Sequence, residues 1–368
     1  MAKPIRAAYL VWHAITPLHV GTGQESAGVI DLPVAREAAT DFPVIPASSI
    51  KGVFRDGQGL KEATDAQGRT RPVEDIRQEQ GALPPWARRF GYADRTGTDG
   101  KQVSGAGELT FTDARLLALA TPSFKGTFAW VTAPLVVRRL MRDRRLLGFA
   151  DAGVTAAAEE PGGLEVGPGD PATDNAGAIV GALTTVEIGP GPGDGGADVG
   201  DPIEQALTKA EGDDQLAVVA SSSRLLVDLP GVPRVVLNDL DFVADSGTDL
   251  APLAEMLWPG QGDVLASRLC VVPDDSFAFL CQTGLEITPH IRLDSDTKTV
   301  VSGALWYEEA IPAESLLASF VLSSGDLAVL DEAGEHLQLG GKSTVGRGLV
   351  AINSRSRVDL GAAQGERA

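Results

Sequence analysis

LQLGGKSTVGRGLVAIN, residues 337–353, is the stretch that separates a nucleotide-binding fold from the alternatives. Its Gly341-Lys342-Ser343 triplet has the ending of a phosphate-binding P-loop. The full pattern, G-x-x-x-x-G-K-[ST], needs a glycine five residues before Gly341, and that position is His336. A dinucleotide fingerprint needs G-x-G-x-x-G between a strand and a helix, whereas the apolar, β-branched run after Gly348 reads as a strand. What remains is a Gly-rich loop entering a strand. Its backbone is free to pass close to a ligand, and Lys342 and Arg347 stand beside it for phosphate oxygens. The plain alternative is a turn between two elements.

Working outward, EITPHIRLDSDTKTVVSGALWYEE (286–309) has two alternating runs around the turn Asp294–Thr297 and reads as a hairpin. At the other end, residues 7–16, AAYLVWHAIT, read as an opening strand closed by Pro17, followed by the loop PLHVGTGQESAG. A short strand, Val29 to Val34, leads to Phe42–Pro46 and a helix capped by Ser48 or Ser49, with Ile50, Val53 and Phe54 on one face. Lys51 and Arg55, four apart, share the opposite face. Strands are also expected at Gly107–Thr112, Arg234–Leu237, Cys270–Val272 and Leu316–Leu322. A short helix is expected near Leu327–Asp331. The arginines at 138, 139, 142, 144 and 145 read as a solvated helix end. Interleaved strands and helices with long excursions suit an α+β fold.

The chain has 368 residues, 43% of them apolar and 22% charged, which excludes global disorder. Its 43 glycines and 23 prolines imply many turns and loops. Two cysteines, Cys270 and Cys281, support neither a disulfide framework nor a multi-cysteine zinc site and fit a reducing, cytoplasmic setting. No stretch reads as a leader or a membrane span, so no membrane partner is expected. A net charge of −19 argues, taken alone, against nucleic acid. But thirteen acids and one base, Lys209, lie between Glu159 and Asp214, so the remaining 312 residues carry only −7. Net charge therefore says little about any one face. Residues 57–106 read as a polar surface insertion, and 159–214 as an acidic, Gly/Pro-rich insertion. The four histidines show no metal-binding spacing; His19 stands out because it lies in a Gly-rich loop directly after a strand.

Six segments, in order, carry a resemblance: ITPLHVGTG (15–23), GVIDLPVARE (28–37), FPVIPASSIKGVFRD (42–56), GELTFTDARLL (107–117), GALWYEEAIP (303–312) and LQLGGKSTVGRG (337–348). Together they resemble the backbone subunits of type III-B CRISPR effectors (the Cmr complex), within the repeat-associated mysterious protein (RAMP) superfamily. S-S-x-K-G and the late Gly-rich loop are marks of the superfamily; G-V-x-D-x-P-x-x-R-E is narrower.

The resemblance implies a single domain over 1–368, with a ferredoxin-like (RRM-like) palm, a fingers-like insertion at 57–106, and a β-hairpin thumb at 286–305. It implies copies of the chain stacked along a crRNA guide in a filament with the other subunits of the complex, and cleavage of paired target RNA at regular intervals. The guide would be held by Ser48, Ser49, Lys51 and Arg55 at the helix start and by Gly340, Gly341, Lys342, Gly346, Arg347 and Gly348 in the loop. Cleavage would fall to Asp31, with His19 and Glu308. It would be metal-dependent, through Mg²⁺ or another divalent ion held by Asp31, and would leave a 2′,3′-cyclic phosphate by attack of the RNA's own 2′-hydroxyl. A carboxylate is a weak base near neutral pH, so Asp31 is as well suited to hold metal or orient the hydroxyl. In relatives a tyrosine can sit near this stretch; here Ala310 precedes Ile311-Pro312, and Tyr307 is the one available. Two other readings remain at this point: a crRNA-binding scaffold that does not cut, and the equivalent subunit of a type III-A complex.

Overall fold

The computed structural model describes residues 5–21, 30–56, 83–94, 103–149, 201–229 and 231–360. The expected insertions lie largely outside these residues, although Pro85–Phe90 and Pro202–Gly212 are helices packed into the core. The architecture mixes α and β.

The opening strand, Arg6–Ala14, is fully buried from Ala7 through Trp12, so it has to lie inside a sheet covered on both faces. It pairs antiparallel with Leu316–Ser323 on one side and with Leu349–Asp359 on the other. These three belong to a twelve-stranded sheet. It continues through Ala114–Ser123, Thr127–Thr132, Leu269–Val271, Leu216–Val219, Leu240–Asp245 and Arg234–Leu237. Helices Pro134–Leu146, Pro202–Gly212, Ala251–Leu257 and Asp274–Thr283 bury Val137, Leu207, Leu253 and Phe277 in the same apolar cluster as the strands. Among the described residues no helix is long and apolar enough to cross a membrane.

Antiparallel pairing decides which loops meet. The exit end of the first strand faces the entry ends of both partners: His13 pairs with Leu316 and Ala351, and Ala14 with Val350. Residues 15–21, the segment before Leu316 and the Gly-rich loop before Leu349 therefore converge at one end of the sheet. The segment before Leu316 is the base of the hairpin, whose strands, Glu286–Leu293 and Val300–Ala310, form a two-stranded sheet separate from the large one among the described residues.

Three local expectations need correction. Val29–Val34 is not a strand: its described residues make only isolated bridges, Leu32 to Glu308 and Val34 to Gly21. Pro33 has no N–H to extend a ladder there. The helix runs Ala47–Asp56, so Ser48 and Ser49 lie within its first turn rather than capping it. Its first N–H, on Ala47, donates instead to Asp113 Oδ1 at 2.7 Å, a carboxylate brought in from beside another strand. The arginines of Pro134–Leu146 are a solvated end only in part: Arg138, Arg142 and Arg145 are exposed, Arg139 and Arg144 are not. Arg144 is buried with its guanidinium 5.0 Å over the Tyr9 ring. Arg139 grips Glu37 through two bonds of 2.8 Å, and Arg138 pairs with Glu204 and Glu211. Arg138, Arg139 and Arg144 thus join elements, Arg138 while still exposed.

Candidate functional site

His19 leaves the first strand through Pro17 and is held between the hairpin base and the Gly-rich loop. Its Nδ1 lies 2.7 Å from the backbone oxygen of Glu309. A carbonyl only accepts, so Nδ1 carries the hydrogen and Nε2 of the neutral ring is left as an acceptor. The backbone oxygen of His19 accepts from Gly341 N–H at 3.0 Å. Gly340 makes that approach possible: with φ +76° it occupies the left-handed region, and a Cβ there would sit 2.2 Å from the His19 oxygen. Room around the ring also depends on missing side chains. A Cβ on Gly21 would stand 3.1 Å from Nε2, and one on Gly341 3.7 Å from the ring carbon Cδ2.

Asp31 is partly buried, and its Oδ2 accepts from Tyr307 N–H at 2.7 Å. Leu32 N–H donates to Tyr307 O, and Glu309 N–H to Leu32 O, so the Asp31 segment is stitched to the second hairpin strand. Adjacent residues of that strand point to opposite faces. Glu309 turns toward the Asp31 segment, where its carboxylate accepts from Val34 N–H at 3.0 Å and from Arg36 Nη2 at 2.7 Å. Glu308 turns toward the Gly-rich loop, 3.3 Å from Arg347 Nε and 3.5 Å from Lys342 Nζ.

Glu309 was not among the residues singled out from the sequence. It holds the Asp31 segment by its side chain and His19 by its carbonyl. The only sequence signal was its place in an apolar-flanked Glu-Glu pair, which does not say which glutamate serves which loop. Glu309→Ala would leave Val34 N–H without its acceptor and Arg36 without its buried carboxylate, although Arg36 Nη1 keeps its bonds to the Asp41 and Cys281 carbonyls, at a cost of about 3 kcal/mol. A lowered denaturation midpoint in the purified chain is expected; an unchanged midpoint would mean these bonds hold nothing.

Ser48, Ser49, Lys51 and Arg55 form a second group. Their helix buries Ile50 and Phe54 and contacts Leu109–Phe111 and Pro85–Phe90. Ser48 is exposed, whereas Arg55 lies 5.5 Å over the Trp86 ring. Lys51 has no ion pair among the described residues. Burial, with Arg55 nearby, holds its ammonium below the ordinary lysine range. An anion beside it would relieve both causes.

No three His, Cys, Asp or Glu side chains gather to cage a metal among the described residues. Asp31 keeps Oδ1 without a hydrogen bond there. That suits an ion held by one carboxylate and completed by phosphate oxygens and water, the usual habit of Mg²⁺, but not a protein-only cage.

The sequence pattern of the RAMP superfamily matches residues 13–351. The chain belongs to this superfamily. It is 28% identical over 365 residues to the CRISPR system Cmr endoribonuclease Cmr4 of Pyrococcus furiosus, covering 96% of this chain and 98% of that one. The fold is similar to oligomeric Cmr4 from Pyrococcus furiosus, with TM-score 0.54 at 21% identity over 96% of this chain and 98% of that one. It is also similar to a subunit of the type III-B Cmr-beta complex bound to cognate target RNA, with TM-score 0.54 at 18% identity over 94% and 96%.

In this RAMP protein the hairpin has reversed amphipathy. Glu286, Thr288 and His290 face the chain and are half-buried. Ile287, Ile291, Leu293, Val300 and Leu305 are each 51–53% exposed. Apolar side chains directed outward on a projecting hairpin suit contact with another molecule. The tip is built for order: Asp294 Oδ1 accepts from the N–H groups of Asp296 and Thr297 at 3.0 and 2.8 Å, which holds its carboxyl below the usual range.

Proposed function

We propose that this chain is a guide-RNA-binding filament subunit of a type III-B CRISPR effector, acting in the cytoplasm, and that it cuts target RNA paired to the crRNA guide. Similarity over nearly the full length to a Cmr endoribonuclease supports the reading. The observation that carries it is the convergence of Asp31, His19 and the Gly-rich loop on the base of one projecting hairpin. In this reading the large sheet and its helices are a ferredoxin-like palm, the segment around 57–106 is the fingers, and Glu286–Ala310 is the thumb.

RNA used as a pairing template is gripped by its backbone, so the protein need not read sequence. Lys51 and the loop with Lys342 and Arg347 supply that grip. The thumb, with its outward isoleucines and leucines, wedges between base pairs and turns one target nucleotide out of the stack. Ordinary duplex geometry forbids in-line attack by the 2′-oxygen, and a displaced nucleotide permits it. The 2′-oxygen then bonds to phosphorus as the 5′-oxygen leaves, closing a 2′,3′-cyclic phosphate and freeing a 5′-hydroxyl. His19 Nε2, the open acceptor, takes the 2′-hydroxyl proton, and solvent protonates the departing oxygen. Asp31 would hold a divalent ion, Mg²⁺ in the first instance, which when bound stabilises charge on the phosphate oxygens.

The test is whether RNAs of uniform length co-purify with the native complex. Lys51→Glu is expected to lower guide occupancy for every sequence, more so as salt is reduced. A native complex free of RNA would overturn the reading, and unchanged occupancy in the variant would reduce Lys51 to a surface charge.

A further inference from the structure

Four buried polar atoms that lack a hydrogen bond meet at one point between the hairpin and the Gly-rich loop. They are both carboxylate oxygens of Glu308, Nε2 of His290 and Nη1 of Arg347. The Glu308 side chain is 0% exposed. Two cations and an imidazole surround it: Arg347 Nε at 3.3 Å, Lys342 Nζ at 3.5 Å and His290 Nε2 at 3.5 Å. These are ion-pair distances without hydrogen-bond geometry. Arg347 is steadied from the other side, its Nη2 donating to Thr288 Oγ1 at 2.8 Å and its Nη1 lying 4.0 Å from Glu286. His290 is fixed by stacking on Trp306, at 5.5 Å and 16° between planes.

A carboxylate stripped of water is stabilised in full only when its lone pairs accept hydrogen bonds. Here opposite charges are gathered but the bonds are not made. Donors arrive from three directions around an anion that is planar and offers two oxygens. A phosphodiester offers two charged oxygens and two ester oxygens in a tetrahedral array, on a larger central atom, and accepts charge-assisted bonds readily. The donors are therefore arranged for an anion other than the one that occupies their centre.

We propose that Glu308 is a placeholder: in the RNA-free chain its carboxylate stands where an RNA backbone phosphate binds, and RNA takes its place on His290, Lys342 and Arg347. The proposal rests on the RNA-binding reading given above and changes the role of Glu308 from a member of the cutting site to a gate on the grip. Until RNA arrives, the carboxylate offsets part of the charge of the loop's two cations and ties the thumb base to the loop. Exchange releases it and places the thumb and the loop on the same phosphate.

The test measures binding of a fluorescein-labelled single-stranded RNA to the full chain over a series of salt concentrations. Glu308→Gln removes the competing charge while keeping the shape. It is expected to tighten binding by about tenfold at low salt, on the scale of one additional charge-assisted hydrogen bond. Its log–log salt dependence should steepen by about 0.7 for each cation freed to meet a phosphate. Lys342→Gln added to Glu308→Gln should cancel the tightening. Tighter binding seen with a guide-like single strand alone assigns the phosphate to the guide. Tighter binding that appears only with the complementary strand present assigns it to the target.

Equal affinity and slope in wild type and Glu308→Gln, with RNA bound by both, would overturn the placeholder and leave the RNA-binding reading standing. Failure of both proteins to bind RNA at any salt would overturn both. Should Glu308→Gln not fold, the wild-type assembly decides the matter by its RNA-bound structure. A phosphate within hydrogen-bond distance of Lys342 and Arg347, with the Glu308 carboxylate displaced, is the expected arrangement. Glu308 still ion-paired to both, with no phosphate beside them, would refute it.

Discussion

Target cleavage should collapse, by about a thousandfold or more, when Leu293–Thr299 is replaced by a short Gly-Ser turn, while guide binding survives. The replaced residues form the tip of the hairpin. The bonds that tie its base to Leu18 and to the Asp31 segment run through Tyr307, Glu309 and Ile311 and are untouched. The shortened hairpin loses Leu293, one of the outward apolar side chains, and the ordered turn around Asp294. Without the wedge the guide–target duplex stays continuous, and the 2′-oxygen is no longer in line with the leaving oxygen. Near-attack geometry alone can account for about 7–11 kcal/mol of a barrier, so a partial loss suffices for the expected fall. Guide occupancy measured on the same assemblies separates this outcome from failure to assemble.

Asp31→Asn is the second large effect. The asparagine amide oxygen can still accept from Tyr307 N–H, so the segment keeps its stitching to the hairpin while the charge is gone. Loss of the carboxylate removes the group that would hold the divalent ion in the proposed mechanism. Cleavage is expected to fall by at least about a hundredfold, the scale of losing one acid–base group. RNA binding should remain near wild type, because the phosphate grip proposed above lies in Lys51 and the Gly-rich loop. Wild-type cutting by Asp31→Asn would remove Asp31 from the mechanism.

The parts of this architecture that local pattern carries were legible in the sequence. The Gly-rich loop enters a strand, Leu349–Asp359, as the apolar run after Gly348 requires. The hairpin forms where alternation and the Asp294 turn place it, although its second strand runs on to Ala310. Regular alternation gave no warning that the apolar face would be the exposed one. That depends on Glu286 and Thr288 meeting Arg347 of the Gly-rich loop, contacts that the hairpin's own sequence does not specify.

What long-range pairing decides was not legible. The helix at Ala47 is capped by Asp113, so the local serines did not mark its start. Arg144 reads as a solvated charge until Tyr9 and Phe149 are seen beneath it. Of the two glutamates at 308 and 309, the sequence singled out the one that faces the loop's cations. The one that orients His19 and anchors Val34 and Arg36 was passed over. Strand alternation requires that they differ; only the positions of the two flanking loops say which does what.

The most direct test of the account is a cleavage ladder. Guide-loaded assemblies built with the wild-type chain, with Asp31→Asn and with the shortened hairpin are each given end-labelled complementary RNA and a divalent ion. The wild-type assembly should cut at regular intervals and leave 2′,3′-cyclic phosphate ends. Both variants should hold the target and leave it whole. Regularly spaced cuts from either variant assembly, or irregular cuts from the wild type, would contradict the claim that Asp31 and the hairpin make the cutting site.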